Sequence, residues 1–414
     1  MNPIELLAPA GNLDRLKMAV TYGADAVYAG GEAFSLRAAA KNFSIDDLAR
    51  GLEFVRRHNR KMYITANIIP HNKDIDAFPK FLEEMNALGP DGLIISDLGA
   101  FMMAKQYAPD IPIHVSTQAN NVNYRSVQAW HELGAKRVVL ARELSLGEIG
   151  EIRRRTPPEL ELEAFVHGAM CISYSGRCLL SNYLTGRDAN QGGCAHPCRW
   201  NYSLVEQQRP GEYMDIVENE RGSFIFNSRD LCMIEYIPQL VESGITSLKL
   251  EGRVKTEYYV ATVVKAYREA IDSYLDNPQA YRFRTEWLDE LQKVSNRRYT
   301  TGFYLGKPDE SAQVYGSSSY IRTYEIVGLV TGHDKETGET IIQQRNRFFT
   351  GDELEIVPPK GAFVPYSVTE MRNEDGETIA SAPHAQQIVR MRLPGQFPVM
   401  TMLRKRREKI ESEK

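Results

Sequence analysis

The sequence contains no apolar run that approaches the roughly 20 residues needed to cross a bilayer. The segment from Met1 to Asn12 has no basic stretch followed by an apolar core, so it predicts neither a signal peptide nor a transit peptide. These absences disfavour membrane proteins and secreted proteins. We therefore expect a cytoplasmic protein that has no membrane partner.

Sequence motifs of common hydrolases are also missing. The eight histidines are scattered, and neither His-Glu-x-x-His nor Gly-x-Ser-x-Gly occurs. The formal net charge is only −4, which disfavours a protein that coats nucleic acid, although a local basic face can still bind RNA. Composition alone therefore leaves the partner open.

Cysteine is scarce, and its distribution is uneven. Only five cysteines occur in 414 residues, and four of them, Cys171, Cys178, Cys194 and Cys198, lie within 28 residues. The fifth is Cys232. A long chain without a secretory segment has no need for so local a disulfide lattice. The clustered thiols therefore indicate ligands for a soft metal centre.

The spacing of the cysteines bears on the identity of the metal. The gaps between the first four are six, fifteen and three residues, and another 33 residues precede Cys232. Structural zinc sites usually pair their cysteines in C-x2-4-C knuckles. An iron–sulfur cluster tolerates irregular gaps better, because its ligands can converge from several loops. The spacing favours an iron–sulfur cluster and leaves a zinc site, or buried cysteines without metal, as alternatives.

Short β-branched runs alternate with amphipathic stretches over most of the chain. Eight such runs separated by helical patterns predict an α/β fold, a (β/α)8 TIM-like barrel. The predicted strands are Leu6 to Pro9, Ala26 to Ala29, Met62 to Asn67, Gly92 to Ser96, Ile113 to Thr117, Arg137 to Ala141, Leu160 to Val166 and Ser247 to Glu251.

The regular alternation stops between Val166 and Ser247, where about eighty residues contain all five cysteines. We predict a barrel over 1–318 with a cysteine-bearing insertion at about 167–246, on the face where barrel enzymes place their active sites. Period-two patterns then predict a small antiparallel β-barrel over 319–400. A basic tail is expected over 401–414.

The segment from Glu163 to Ser181 carries a distinctive signature. Its residues fit the pattern E-x-F-x-x-G-A-M-C, four residues, then G-x-C-x-L-S. This segment resembles the signature of the collagenase-like peptidase family of unassigned catalytic type, peptidase family U32. Other segments that fit the family are Leu7 to Gly11, Ala29 to Gly31, Ser116 to Gln118, Asn227 to Cys232, Leu250 to Arg253 and Arg298 to Gly302.

The resemblance implies a function and a cofactor. Within the family, the chain is most similar to a tRNA-hydroxylating subgroup that makes 5-hydroxyuridine at the wobble position of tRNA with prephenate. Relatives that hydroxylate RNA or quinone rings carry a 4Fe-4S cluster. The matching ligands here are Cys171, Cys178, Cys194 and Cys232, with Cys198 as the alternative. The resemblance thus implies a tRNA-modifying enzyme that binds tRNA, prephenate and a 4Fe-4S cluster.

Two other functions stay open. The family name implies a collagenase-like peptidase with Cys171 as nucleophile and His167 as base, but a spacing of four residues in a loop is a weak indication. The third hypothesis is a cluster-bearing subunit of a two-protein hydroxylase that requires a paralogous family member.

Prephenate is a dicarboxylate, so its binding site needs fixed cations at the barrel mouth. Arg142 follows the sixth predicted strand, and Arg253 and Lys255 follow the eighth. Glu251 can orient Arg253, and Gln118 after the fifth strand can contact a ring or a base. Because the carboxyl ends of barrel strands converge, we predict that these five residues form the catalytic site.

Basic residues beside aromatic rings are the candidate RNA contacts, because cations and rings together suit single-stranded RNA. These candidates are the run Arg404 to Arg407, Arg297 and Arg298 beside Tyr299, and Arg199 beside Trp200.

Overall fold

Eight parallel strands close into a barrel, which confirms the predicted fold class. The structure is a computed structural model that describes residues 4–36, 42–171, 173–174, 176–200, 204–205, 213–214, 228–308 and 320–407. The last barrel strand in the chain pairs with both the first and the seventh, so no barrel edge is left open. The barrel strands are β1 (Glu5–Ala10), β2 (Ala26–Gly30), β3 (Lys61–Ala66), β4 (Gly92–Ile95), β5 (Ile113–Val115), β6 (Arg137–Val139), β7 (Glu161–Ala169) and β11 (Ser247–Leu250).

Helices surround the barrel, and several begin at side chains that cap them. Asn12, Ser44, Asp97 and Thr256 each accept a hydrogen bond from a backbone N–H in the first turn of a helix. In the described residues no helix is long and apolar enough to cross a membrane. The helices are α1 (Leu13–Thr21), α2 (Ile45–Arg57), α3 (Asn72–Ile75), α4 (Phe78–Leu88), α5 (Leu98–Tyr107), α6 (Tyr124–Glu132), α7 (Leu146–Arg154), α8 (Leu180–Thr185), α9 (Ile237–Glu242), α10 (Glu257–Asp276) and α11 (Thr285–Lys293).

The cysteine-bearing insertion begins at the C-terminal end of β7. It contains α8 and the short strands β8 (Leu204–Val205) and β9 (Tyr213–Met214), and it ends where β10 (Asp230–Cys232) returns antiparallel to β7. Strand β12 (Tyr299–Thr300) extends the same sheet. Helix α9 buries Ile237 and Leu240, so it belongs to the barrel. The predicted insertion over 167–246 is therefore too long at its C-terminal end.

The C-terminal domain is a curled antiparallel sheet with its own apolar core, close to the predicted small β-barrel. The strand Met402–Arg406 lies between the strands Tyr324–His333 and Glu353–Val357, and it buries Met402 and Leu403. A basic tail that starts at residue 401 is therefore wrong, and residues 408–414 lie outside the described residues. The strands are β13 (Tyr324–His333), β14 (Thr340–Gln344), β15 (Phe348–Phe349), β16 (Glu353–Val357), β17 (Val364–Ser367), β18 (Met371–Arg372), β19 (Thr378–Ile379), β20 (Ser381–Ala382), β21 (Ile388–Met391) and β22 (Met402–Arg406).

Specific contacts join the C-terminal sheet to the outer helices of the barrel. The buried Tyr22 hydroxyl, on the residue that follows α1, donates to the Val357 carbonyl oxygen at 2.9 Å. Arg404 of β22 is completely buried, and its guanidinium bonds Glu290 of α11 at 2.7 Å and also contacts Glu355 of β16. A buried arginine with two carboxylates holds the sheet in one position against α11.

Candidate active site

A cavity of about 180 Å³ lies at the carboxyl ends of the barrel strands, beneath the cysteine-bearing insertion. Side chains from within the strands form its floor, residues that follow the strands form its walls, and the insertion forms its roof. The floor residues are Tyr28, Ile94, Phe165 and Lys249. The wall residues are Thr65, Asn67, Ser116, Gln118, Arg142, Glu251 and Arg253. The roof residues are Cys171, Tyr174, Gly176, Cys178, Asn190 and Cys194.

Two glycines of the signature allow the roof to approach the walls. Gly168 has a φ of +111°, and a Cβ atom there would lie 2.7 Å from Glu251 Cβ. Gly176 has a φ of +75°, and a Cβ atom there would lie 2.4 Å from the Gln118 carbonyl oxygen. A larger residue at either position would strain the backbone and push the roof away from the strand ends.

The signature residue Phe165 lines the floor of the cavity, and the signature residue Glu163 bonds Lys249, which also lines it. Glu163 is completely buried in β7, and its carboxylate accepts hydrogen bonds from Lys249 Nζ at 2.6 Å and from Arg137 Nη1 at 2.8 Å. Lys249 Nζ lies 5.3 Å from the Phe165 ring centroid and 4.6 Å from that of Tyr28. Sequence reasoning missed this buried pair, although a lysine within the apolar strand Ser247–Leu250 was a visible signal.

The walls contribute two of the predicted arginines. Arg142 Cζ lies 4.0 Å above the Phe165 ring, and its Nη1 donates to the Ala169 carbonyl oxygen at 2.6 Å. Arg253 is 5% exposed, and its Nη1 donates to Ser35 Oγ at 2.8 Å and to Thr65 Oγ1 at 2.9 Å. Both guanidinium groups are therefore held in fixed orientations beside the cavity.

Some buried polar atoms of the cavity walls have no hydrogen-bond partner within the described part of the chain. These include Arg142 Nε and Gln118 Oε1. Burying such groups without a partner is costly, so the site suits a polar ligand. Four of the five predicted catalytic residues, Gln118, Arg142, Glu251 and Arg253, line this cavity.

Lys255 lies elsewhere. Its Nζ donates to the Ser295 carbonyl oxygen at 3.3 Å and stacks 3.6 Å from the Tyr320 ring centroid, and it is not among the described residues that line the cavity. The chain turns after Gly252, so a residue two positions after Arg253 points away from the barrel axis.

The thiols of Cys171, Cys178, Cys194 and Cys198 influence one another electrostatically within the cysteine-bearing insertion. Cys171 is exposed at the cavity, yet enough protein surrounds its thiol that desolvation raises its pKa, and the neighbouring Cys178 and Cys194 thiols raise it further. Burial also raises the pKa of Cys198, with a further contribution from the other three thiols. A negatively charged thiolate disfavours the ionisation of a neighbouring thiol, whereas a cationic metal centre favours the ionisation of all the thiols that bind it. The donor set therefore fits a thiolate-bound metal centre.

Cys232 lies apart from this group. It is buried on β10, where its Sγ is 3.9 Å from the Tyr267 hydroxyl, and burial raises its pKa to about 12. The adjacent His167 is also buried, and desolvation lowers its pKa to about 3. A thiol–imidazole contact is present instead between Cys194 Sγ and His196 Nδ1, at 3.9 Å.

The cysteine-bearing insertion, which forms the roof of the cavity, carries exposed aromatic rings and cations. Tyr174 is 53% exposed, Tyr183 is 84% exposed and Trp200 is 44% exposed. Arg177 and Arg187 are exposed among them. Such a surface combines rings that can stack on bases with cations that can contact phosphates.

The predicted RNA contacts divide into exposed and buried residues. Arg297 is 2% exposed and bonds the Tyr320 hydroxyl, and Arg404 is fully buried in ion pairs, so both predictions are wrong. Arg199 donates to the Met170 carbonyl oxygen at 3.4 Å and so supports the roof. Arg298 and Arg406 are exposed, and both line a cleft of about 800 Å³ between the barrel and the C-terminal sheet.

Comparison with protein families gives two matches that together span most of the chain. The profile described as Peptidase family U32 matches residues 11–314. The profile described as Peptidase family U32 C-terminal domain matches residues 322–404. The junction between the matches agrees with the boundary between the barrel and the C-terminal sheet.

Three curated relatives align over nearly the whole chain. The tRNA hydroxylation protein P1 of Bacillus subtilis is 42% identical and covers 97% of this chain and 94% of its own. The tRNA hydroxylation protein P of Escherichia coli is 39% identical, with 92% of this chain and 91% of its own covered. A Collagenase of Porphyromonas gingivalis is 31% identical and covers 94% of each chain.

Proposed function

The chain belongs to peptidase family U32, and we propose that it is a tRNA-modifying enzyme that uses prephenate to hydroxylate the wobble uridine to 5-hydroxyuridine. The observation that carries this proposal is the cavity at the barrel mouth. Three cations, Lys249, Arg142 and Arg253, line a small cavity whose roof carries exposed aromatic rings. The names of the B. subtilis and E. coli relatives support the same substrate class.

The cavity suits a small carboxylate. Arg142 offers a buried Nε without a partner in the described chain, and Gln118 offers an unpartnered Oε1. An arginine held in one orientation binds a carboxylate through parallel hydrogen bonds, which adds geometric selectivity. Prephenate has two carboxylates, and the positive charges of Lys249, Arg142 and Arg253 around the cavity can balance them. The target uridine then enters from the mouth.

The grouped thiols support a 4Fe-4S cluster at the roof. We assign its ligands as Cys171, Cys178, Cys194 and Cys198, because the fourth thiol that adjoins the first three is Cys198 and not Cys232. In the described residues, no three His, Cys, Asp or Glu side chains adjoin closely enough for a single metal ion, whereas a cubane spreads its thiolates over four irons. When bound, a cluster held by four thiolates would supply electron transfer.

The surface around the mouth suits a single-stranded anticodon loop. Tyr174 and Tyr183 present rings on which bases can stack, and Arg177 and Arg187 can contact phosphates. Chemistry at a wobble base requires that base to leave the stack and enter a pocket. A mouth flanked by exposed rings supports such an entry.

The tRNA function can be tested by nucleoside analysis of tRNA from a strain that lacks this protein. We expect 5-hydroxyuridine to be absent and to return with the wild-type chain. Arg142→Ala removes a carboxylate partner worth about 2 kcal/mol or more, so modification should fall at least about 30-fold. The matched control Arg57→Ala, an exposed arginine of α2, should restore full modification. Unchanged 5-hydroxyuridine in the deletion strain would overturn the proposal.

The peptidase and two-protein hypotheses have separate tests. The Cys194 and His196 contact is the feature that favours a cysteine peptidase, so purified protein should be assayed on gelatin. The peptidase hypothesis would be supported if the protein cleaves gelatin, if Cys194→Ala abolishes the cleavage, and if removal of iron leaves the cleavage unchanged. Modification that returns only when a paralogous member is also expressed would support the two-protein hydroxylase.

A further inference from the structure

Lys249 is a buried amine at the floor of the mouth cavity, and neither the family signature nor the strand-end prediction assigns it a role. It lies on β11 and is 4% exposed. Its Nζ is 2.6 Å from Glu163 Oε1. The rings of Tyr28 and Phe165, which also line the cavity, lie 4.6 and 5.3 Å from the same nitrogen. The amine is therefore at the inner end of the space in which a ligand would bind.

A purely structural ion pair does not explain this position well. Buried ion pairs give little net stability compared with well-packed apolar residues, and Glu163 already accepts a hydrogen bond from Arg137 at 2.8 Å. Arg137 in turn contacts Glu5 at 2.6 Å, so the lower part of the barrel has its own ion-pair network. Lys249 adds a second cation on the side of Glu163 that faces the cavity.

The surroundings favour a nucleophilic amine. Burial lowers the pKa of Lys249, although the Glu163 carboxylate opposes this effect. Glu163 is also within hydrogen-bond distance to accept the ammonium proton. Lysines in dry pockets with a neighbouring proton acceptor are the ones that condense with carbonyl compounds.

We propose that Lys249 forms an imine with the ketone of an α-keto acid bound in the mouth cavity. The inference rests on the proposed function, because prephenate carries a pyruvyl side chain whose ketone adjoins a carboxylate. Arg142 above the Phe165 ring is placed to hold that carboxylate while the ketone carbon meets Lys249 Nζ.

The step balances without an oxidant or a reductant. The ammonium group gives one proton to Glu163, and the free amine adds to the ketone carbon to form a C–N bond. The carbonyl oxygen takes one proton from the nitrogen and one from Glu163, and it leaves as water. The product is an iminium cation opposite the Glu163 carboxylate, so the buried pair keeps its charge balance.

Borohydride trapping tests the proposal. The purified chain is incubated with pyruvate, and separately with prephenate, in the presence of cyanoborohydride, and the products are analysed by intact mass and peptide mapping. We expect one reduced adduct per chain, on Lys249. The Lys249→Arg variant keeps a cation opposite Glu163 but forms no imine. Its amount of adduct should therefore equal that of protein incubated without cyanoborohydride. Lys265→Arg is the matched control, because Lys265 also has a burial-lowered pKa but lies on the outer helix α10.

The outcomes separate the imine from the tRNA function. Adducts spread over several lysines, or absent from wild-type protein that makes 5-hydroxyuridine, would overturn the role of Lys249 and leave the proposed function intact. A specific adduct on Lys249 in protein that modifies no tRNA would support the ketone chemistry and refute the tRNA function. Peptide mapping of the adduct on the wild-type chain shows whether Lys249 forms the imine, even if the Lys249→Arg variant does not fold.

Discussion

Replacing Arg253 by lysine tests whether this residue is part of the cavity wall. The Arg253 guanidinium uses both of its terminal nitrogens: Nη1 bonds Ser35 and Thr65, and Nη2 bonds Asn42 Oδ1 at 3.2 Å and the Leu36 carbonyl oxygen. A lysine keeps the charge but cannot reach both groups of acceptors. The wall therefore loses about two charge-assisted hydrogen bonds, each worth about 1.5–3 kcal/mol.

We expect Arg253→Lys to lower the free energy of unfolding by about 3 kcal/mol. The entropy of unfolding is about 2.1 cal/mol/K per residue, so this loss in a barrel of about 300 residues lowers the melting temperature by about 5 °C. Modification should fall with it, because the walls that hold the substrate loosen. The measurements are thermal unfolding and 5-hydroxyuridine content, with the exposed Arg57→Ala as control. A wild-type melting temperature together with full modification would refute the placement of Arg253.

Four further predictions concern other parts of the structure. Anaerobically purified protein should contain about four iron and four sulfide ions per chain. The Cys198→Ala variant should lose this iron and sulfide, and the Cys232→Ala variant should retain them. Loss in Cys232→Ala alone, or zinc without sulfide in the wild-type protein, would contradict the assigned ligands. Arg404→Ala should cost about 3–5 kcal/mol in denaturant unfolding, because it leaves buried carboxylates unpaired, and a change under 1 kcal/mol would contradict this. Burial raises the pKa of Glu290, but the hydrogen bond from Arg404 outweighs burial, so the pKa of Glu290 is lowered overall. The stabilisation by the Glu290–Arg404 pair should therefore be fully present above the unfolded-state pKa of about 4.3 and be lost as the pH falls below that value. Thermal unfolding of wild-type and Arg404→Ala protein at acid pH measures this loss. Gly176→Ala should clash with the Gln118 carbonyl oxygen at 2.4 Å and reduce modification, whereas Gly395→Ala, where no atom lies within 4 Å of the added Cβ, should not.

The barrel could be predicted because each of its strands and helices is indicated by a pattern within a short stretch of the sequence. Each parallel strand is an apolar run between helices, and the eight predicted runs match the eight barrel strands within a few residues. The last three residues of β7 were missed, because they pair with β10 from across the insertion. Helix α9 has six residues, too few for a helical period to be read.

The cavity walls could be predicted for a similar reason. Gln118, Arg142, Glu251 and Arg253 all follow strands, and strand ends of a barrel converge whatever their sequence separation. The floor was missed because the pattern of Ser247–Leu250 indicates only a buried strand, not which side chain reaches the cavity.

Long-range contacts explain the remaining errors. A run of basic residues at Arg404 to Arg407 reads as a tail, yet the preceding Met402 and Leu403 are buried and place the run in a central strand. The choice between Cys232 and its alternative Cys198 stays a prediction, because it depends on the path of the insertion, which no spacing rule encodes. We propose Cys198 because its thiol is the one influenced by the other three.

The most direct test of the central claim is reconstitution from purified components. The chain, prepared without oxygen, is incubated with prephenate and an unmodified tRNA transcript, and the nucleosides are analysed by mass spectrometry. We predict 5-hydroxyuridine at the wobble position only when prephenate is present, and strongly reduced product with Arg142→Ala. Equal product without prephenate would contradict the carboxylate site at the barrel mouth. The absence of product from iron-replete wild-type protein would contradict the claim that this chain alone hydroxylates tRNA.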